Sequence, residues 1–157
     1  MMRVLFVCLG NICRSPLAEA IFQSKVSRLD LADRFFVDSC GTSNYNLGCE
    51  PDPRTAANAK KNGVSVHHIA RQLEPEDFAA FDKILVMDRR NLREAMSVSD
   101  ERHHSKISLL RDFDPFGSGD VPDPYYGTEK DFQAVFEILD RTVDNLLSDL
   151  QKRKTSS

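Results

Sequence analysis

The 157-residue sequence predicts an α/β fold: a small doubly wound sheet of four parallel strands, flanked by helices on both faces. Three observations carry that expectation. Strand-like and helix-like patterns alternate from the first residues onward. The strand-like runs are short and continuously apolar, as in strands covered on both sides. Proline and glycine stand where helices begin and end.

Residues 3–8 (RVLFVC) form the first such run. Ser15-Pro16 then offers an N-cap and a first-turn proline. Leu17, Ile21, Phe22, Val26 and Leu29 follow at helical spacing, which predicts a helix over residues 16–29. Residues 35–39 (FFVDS) read as the second strand. Asp52-Pro53 opens the next helix by the same cap logic, and Asn62-Gly63 closes it. Residues 83–87 (KILVM) are the third strand, followed by a short helix around 91–96; residues 106–110 (KISLL) are the fourth. From 112 to 127 the chain is rich in Asp, Pro and Gly and predicts a long surface loop, a length that usually serves function. Phe132, Val135, Phe136, Leu139, Val143, Leu146, Leu147 and Leu150 then mark a long amphipathic helix. A flavodoxin-like arrangement fits this order. In it, ligands bind beyond the carboxyl ends of the strands where strand order reverses, and the loop after the first strand is the prime candidate for that position.

Composition bounds the rest. The length fits a single domain over residues 1–157, with 41% hydrophobic and 29% charged residues, ordinary for a soluble globule. With 21 basic against 24 acidic residues and a net charge of -3, nucleic acid is not expected as a partner. No apolar run approaches the ~20 residues needed to span a bilayer, so no membrane association is expected. The start, MMRVLFVCLGNICRS, lacks the features of a secretory signal. The expected compartment is therefore the reducing cytoplasm, with all four cysteines as free thiols. The His67-His68 and His103-His104 pairs lack the i, i+4 spacing of helical ligands and no CxxC occurs, so no metal and no cofactor are expected. Both pairs read as solvated surface.

The loop after the first strand reads Cys8-Leu9-Gly10-Asn11-Ile12-Cys13-Arg14-Ser15. A cysteine followed six positions later by an arginine is unspecific alone; its place between a strand and a capped helix makes it informative. A tight loop feeding a helix N-terminus aims several backbone N–H groups into one concavity, and the helix dipole adds positive potential there. A tetrahedral anion such as phosphate fits that cradle. Gly10 and Asn11 both tolerate left-handed backbone, which a nest of this kind requires. Arg14 can hold two phosphate oxygens in a bidentate fork. The same field favours Cys8 as thiolate, the nucleophilic form, and Ser15 can donate to its sulfur. An acid is still needed to protonate a leaving oxygen. Asp123, in Asp123-Pro124-Tyr125-Tyr126-Gly127, is the candidate, with two tyrosines to wall an aromatic pocket.

Together these elements resemble the low-molecular-weight protein tyrosine phosphatases. VLFVCLGNICRSPLAEAIF (residues 4–22) is similar to that family's active-site segment almost unbroken. The likeness continues through DS (38–39), PDPR (51–54), ARQ (70–72), FDKILVMD (81–88), NLR (91–93) and DPYYG (123–127). The resemblance implies hydrolysis of phosphotyrosine in proteins through a cysteinyl-phosphate intermediate, with phosphate and vanadate as oxyanion inhibitors. It implies Cys8 as nucleophile, Arg14 as phosphate clamp and Asp123 as general acid and base. Leu9, Gly10, Asn11, Ile12, Cys13 and Ser15 would contact substrate from the loop, and Tyr45, Tyr125 and Tyr126 from the walls. It implies that Asn11 orders the loop, braced by Ser39 and His68. It implies either a reversible protective disulfide between Cys13 and Cys8 or a packing role for Cys13. Animal members carry an aromatic, often tryptophan, after the DS pair, whereas this chain has Tyr45 within 40–48. Tyr125 and Tyr126 resemble positions that kinases modify in some relatives. Cys40 and Cys49 have no counterpart.

Rival readings share parts of the pattern. Thioredoxin-coupled arsenate reductases need two further cysteines after the third strand, and residues 85–96 contain none. Protein-arginine phosphatases tend to carry threonine where this loop has Ile12. A non-catalytic phosphate-binding module would not need Cys8, Arg14 and Asp123 together.

Overall fold

The computed structural model describes residues 1–155 of the chain. In order the elements are β1 (Met2–Cys8), α1 (Arg14–Arg28), β2 (Phe35–Gly41), α2 (Pro53–Lys61), α3 (Pro75–Ala80), β3 (Lys83–Val86), α4 (Arg89–Val98), β4 (Ile107–Leu109) and α5 (Glu129–Thr155). Short 3₁₀ turns cover Ala32–Arg34, Glu101–Lys106 and Leu110–Phe113. The four strands form one sheet in the order β2-β1-β3-β4, and every pairing is parallel. The chain steps outward from β1 to β2, then crosses back over β1 to reach β3. The reversal of strand order therefore falls at the carboxyl end of β1, the usual position for a ligand in an open α/β sheet.

The alternation of β1 explains the layers. Val4, Phe6 and Cys8 join Leu85, Met87 and the apolar faces of α1 and α5 in one core. Leu5 and Val7 join Ile84, Val86, Phe78, Phe81 and Ala95 in the other, under α3 and α4. Burial on both faces is why β1 and β3 read as unbroken apolar runs. Each fully buried aliphatic side chain adds about 1.5–3 kcal/mol. Leu139, Val143, Leu146 and Leu150, all fully buried, make α5 a principal contributor to the first core. Among the described residues no helix is long and apolar enough to cross a membrane.

Where sequence pattern and structure differ, long-range contacts or short lengths are the reason. Helix α1 starts at Arg14, with Cys13 in the N-cap position, so Ser15 and Pro16 lie inside its first turn. Ser15 is not the cap because its hydroxyl is drawn to the Cys8 sulfur. Helix α2 behaves as expected: Asp52 accepts from the Arg54 N–H at 2.8 Å, and Gly63 follows the Asn62 cap at φ +83°. Helix α3, missing from the sequence reading, is held by a reciprocal capping box between Glu74 and Asp77. Strand β4 has three residues instead of five. The expected surface loop over 112–127 is partly interior, since Asp114 and Val121 are buried. His68 is not solvated surface either: its ring is turned inward behind the first loop.

Candidate active site

The loop between β1 and α1 is shaped by its neighbours. Past the end of β1, the Thr42 N–H donates to the Cys8 carbonyl at 2.9 Å and the Ser43 N–H to the Leu9 carbonyl at 3.0 Å. Gly41 lets this backbone come close: a Cβ there would sit 2.6 Å from the Leu9 oxygen. Asn11 takes the left-handed turn at φ +58°. Gly10 does not share that geometry; a Cβ there would meet only the side-chain amide of Asn46, at 2.5 Å, which would have to swing aside. Among the described residues no side chain caps the first turn of α1, which leaves N–H groups there for an anion in the cradle.

Asn11 is the hub behind the loop. Its Nδ2 donates to Ser15 Oγ at 2.8 Å and Ser39 Oγ at 3.1 Å. Its Oδ1 accepts from the Arg71 N–H at 3.0 Å and faces His68 Nε2 at 2.8 Å. Ser39 donates in turn to buried Glu19 at 2.7 Å, and His68 Nδ1 lies 3.2 Å from the same carboxylate oxygen. Burial pushes the Glu19 carboxyl up to about 7, against the hydrogen bond from Ser39. Burial also draws the His68 imidazole below its ordinary value, with Asp38 opposing. Both directions favour a neutral pair with one proton between them, and His68 then donates from Nε2 to Asn11. Glu19, Asp38 and His68 offer ligand atoms within 4.8 Å of one another. Their hydrogen bonds are directed at Asn11, Ser39 and Arg71, which makes them a brace for the loop.

In front of the hub, Cys8 Sγ lies 2.9 Å from Ser15 Oγ and accepts from the Asn11 N–H at 3.3 Å. Arg14 is buried, and its Nη1 donates to Asp88 at 2.7 Å and to the Val121 carbonyl at 3.0 Å. Burial works against its charge, yet Cys8, Asp88 and Asp123 outweigh that and hold it more firmly protonated than usual. Asp123 reaches Arg14 Nη2 at 3.6 Å across the opening. Cys8, Leu9, Gly10, Ile12, Cys13, Arg14, Tyr45, Asn46, Asp123, Tyr125 and Tyr126 surround a pocket of about 280 Å³. Tyr125 and Tyr126 meet edge to face, with centroids 4.9 Å apart.

This geometry has known counterparts. The family model for low molecular weight phosphotyrosine protein phosphatase matches residues 3–156. The chain belongs to this family. The rat low molecular weight phosphotyrosine protein phosphatase is 47% identical over 136 residues, covering 85% of this chain and 86% of the relative. A crystal structure of a protein tyrosine phosphatase from Entamoeba histolytica, with Hepes in its active site, superposes with a TM-score of 0.95. It shares 39% identity and covers 98% of this chain and 99% of its own. The YwlE arginine phosphatase stands further off, with a TM-score of 0.86 and 27% identity over 96% of this chain and 97% of its own.

For this family member, the structure places the expected residues in two layers. Cys8, Leu9, Gly10, Ile12, Cys13, Arg14, Asp123 and all three tyrosines line the pocket. The side chains of Asn11, Ser15, Ser39 and His68 meet behind it, where they bond to one another instead of facing the opening. Asp88, Asn46 and Glu19 were not foreseen. Glu19 had a signal: it lies four residues after Ser15, on the face of α1 that carries the loop. Asp88 had a weaker one, as the acid that caps α4 by accepting from the Asn91 N–H. Cys13 is buried, and burial pushes its thiol up to about 12.

Proposed function

We propose that this phosphatase hydrolyses phosphotyrosine in proteins through a phosphorylated Cys8. The observation that carries this reading is the convergence on one pocket of the Cys8 sulfur, the Arg14 fork and the Asp123 carboxyl, ringed by tyrosines. The phosphate would sit over the loop amides with Arg14 gripping two equatorial oxygens. The Cys8 thiolate attacks phosphorus, the bond from phosphorus to the tyrosyl oxygen breaks, and Asp123 donates its proton to that oxygen. Asp123, now a carboxylate, takes a proton from water as the water oxygen attacks the phosphocysteine. The sulfur–phosphorus bond breaks, inorganic phosphate leaves, and Ser15 stabilises the returning thiolate. Asn11, braced by Ser39 and His68, holds the loop in this geometry throughout. Tyr45 and Tyr125, both on the pocket lining, would flank a phenyl ring. Phosphate and vanadate would occupy the same cradle as inhibitors, and the free thiol requirement suits a cytoplasmic setting.

The test is hydrolysis of phosphotyrosyl, phosphoseryl and phosphoarginyl peptides in reducing buffer with chelator. The expected result is turnover of phosphotyrosine by the native chain and none by Cys8→Ser. Turnover of phosphoarginine alone would overturn the assignment in favour of the arginine-phosphatase branch.

A further inference from the structure

Helix α4 begins at the carboxyl end of β3, directly beside the pocket, because its cap Asp88 is the residue that grips Arg14. Its first turn contains Arg89 and Arg90 and no acidic residue, and Arg93 follows one turn later. Cations are disfavoured in the first turn of a helix, where the dipole is positive, and like charges four residues apart repel. Arg90 is partly compensated by Glu94 at 2.8 Å. Arg89 and Arg93 are exposed, and among the described residues neither guanidinium has an ion-pair partner. Two carboxylates stand at this helix start and neither pairs with the Arg89 or Arg93 guanidinium. Asp88 holds Arg14, and Asp120 accepts from the Arg89 backbone N–H at 3.0 Å. Arg90 is also close enough to Tyr45, on the pocket wall, to feel its phenol. A chain with net charge -3 thus gathers three arginines on the first turns of the helix whose cap holds Arg14, two of them without an ion-pair partner among the described residues.

We propose that Arg89 and Arg93, with Arg90 beside them, read acidic residues next to the phosphotyrosine of a substrate protein. This rests on the phosphotyrosine reading above and adds a sequence class to it. A phosphotyrosyl side chain seated in the pocket leaves its own backbone at the rim, where the flanking side chains pass over α4. Asp or Glu there meets guanidinium groups already free to pair, so the helix-dipole penalty in the free enzyme is relieved on binding. The selectivity is electrostatic and appears mainly in KM and in the salt dependence of kcat/KM.

The experiment compares phosphotyrosyl peptides with aspartate, alanine or lysine flanks at low ionic strength. It uses the native enzyme, Arg89→Ala/Arg93→Ala and Arg89→Glu/Arg93→Glu, with p-nitrophenyl phosphate as a flank-free substrate. The native enzyme should prefer the aspartate peptide over the alanine peptide by roughly tenfold in kcat/KM, and added salt should erode that preference. The alanine variant should lose the preference and keep its p-nitrophenyl phosphate rate. The glutamate variant should favour the lysine peptide. Equal native rates on all three peptides, or a preference intact in both variants, would overturn the arginine rim alone. A native enzyme inactive on p-nitrophenyl phosphate and on every phosphotyrosyl peptide would overturn the phosphotyrosine reading together with it.

Discussion

Residues 8–15 and residues 110–128 face the same pocket from opposite sides, and they are held in different ways. The first segment is short and continuous, joined to β1 and α1, and fixed by the end of β2 and the Asn11 hub. The second is a long strap that borrows its shape from distant parts of the chain. Its root is Asp114, whose side chain is fully buried. Arg141 donates to it twice, at 3.0 and 3.1 Å, Arg111 once at 2.9 Å, and the Phe116 N–H once at 2.9 Å. Arg111 also donates to the Asp120 carbonyl at 2.9 Å, and Val121 bonds both Met87 and Arg14. Beyond Val121 the strap opens to solvent, with Asp123 and both tyrosines exposed. The comparison teaches a division of labour: a rigid cradle for the phosphate, which every substrate shares, and a tethered, open arm for the leaving group, which varies.

Substitutions should separate the two. Arg14→Lys keeps the charge but loses the fork and its fixed partners, Asp88 and Val121. We expect a fall in kcat/KM of roughly two to three orders of magnitude, the same for every leaving group, measured across a series of aryl phosphates. Asp123→Asn should lower kcat/KM, which reports cleavage of the phosphorus–oxygen bond, by about a hundredfold for phenyl phosphate and far less for 2,4-dinitrophenyl phosphate, whose leaving group needs no proton. A loss independent of leaving group would place the acid elsewhere.

The anchor of the strap should show in stability. Burial alone would raise Asp114, but Arg141, Phe116 and Arg111 outweigh it and bring the carboxyl down to about 2. A carboxyl lowered from its ordinary 3.8 stabilises the fold above that value and loses the contribution as pH falls toward 2. Asp114→Asn should therefore cost about 2 kcal/mol near neutral pH by denaturant titration, with the deficit shrinking in acid. The cradle side should show the opposite sign. Glu19 is raised, so its contribution is complete below the ordinary 4.5 and is lost as pH rises through about 7. Between those values the Glu19 contribution should decline with pH, against the rise that the lowered His68 imposes, and Glu19→Gln should remove that decline; a stability–pH profile unchanged in shape by the substitution would remove Glu19 as its source.

The same contrast explains what could be read from the residues alone. The cradle was legible because its strand, turn, arginine and helix are consecutive, and local chemistry dictates each. Its partners were not. Arg14 meets Asp88 across 74 positions and Val121 across 107, and no periodicity links residues that far apart. The strap looked like surface because Asp, Pro and Gly dominate it, whereas burial of Asp114 depends on Arg141 in α5. Helix α3 was overlooked because six residues show too little periodicity, although its Glu74–Asp77 box was in plain view. The family likeness of DPYYG placed Asp123 at the pocket. Nothing local to that segment distinguished it from a turn.

The backing of Gly41 against Leu9 bears finally on the timing of turnover. Hydrogen bonds like those of a sheet run past the end of β1 into the cradle itself, so its shape is set before any anion arrives. An oxyanion should then dock as onto a finished surface, in a single fast phase whose rate rises linearly with concentration. Any slow isomerisation in a stopped-flow trace would belong to the strap, and substitutions at Arg111 or Arg141 should change its rate while leaving the docking phase as it was.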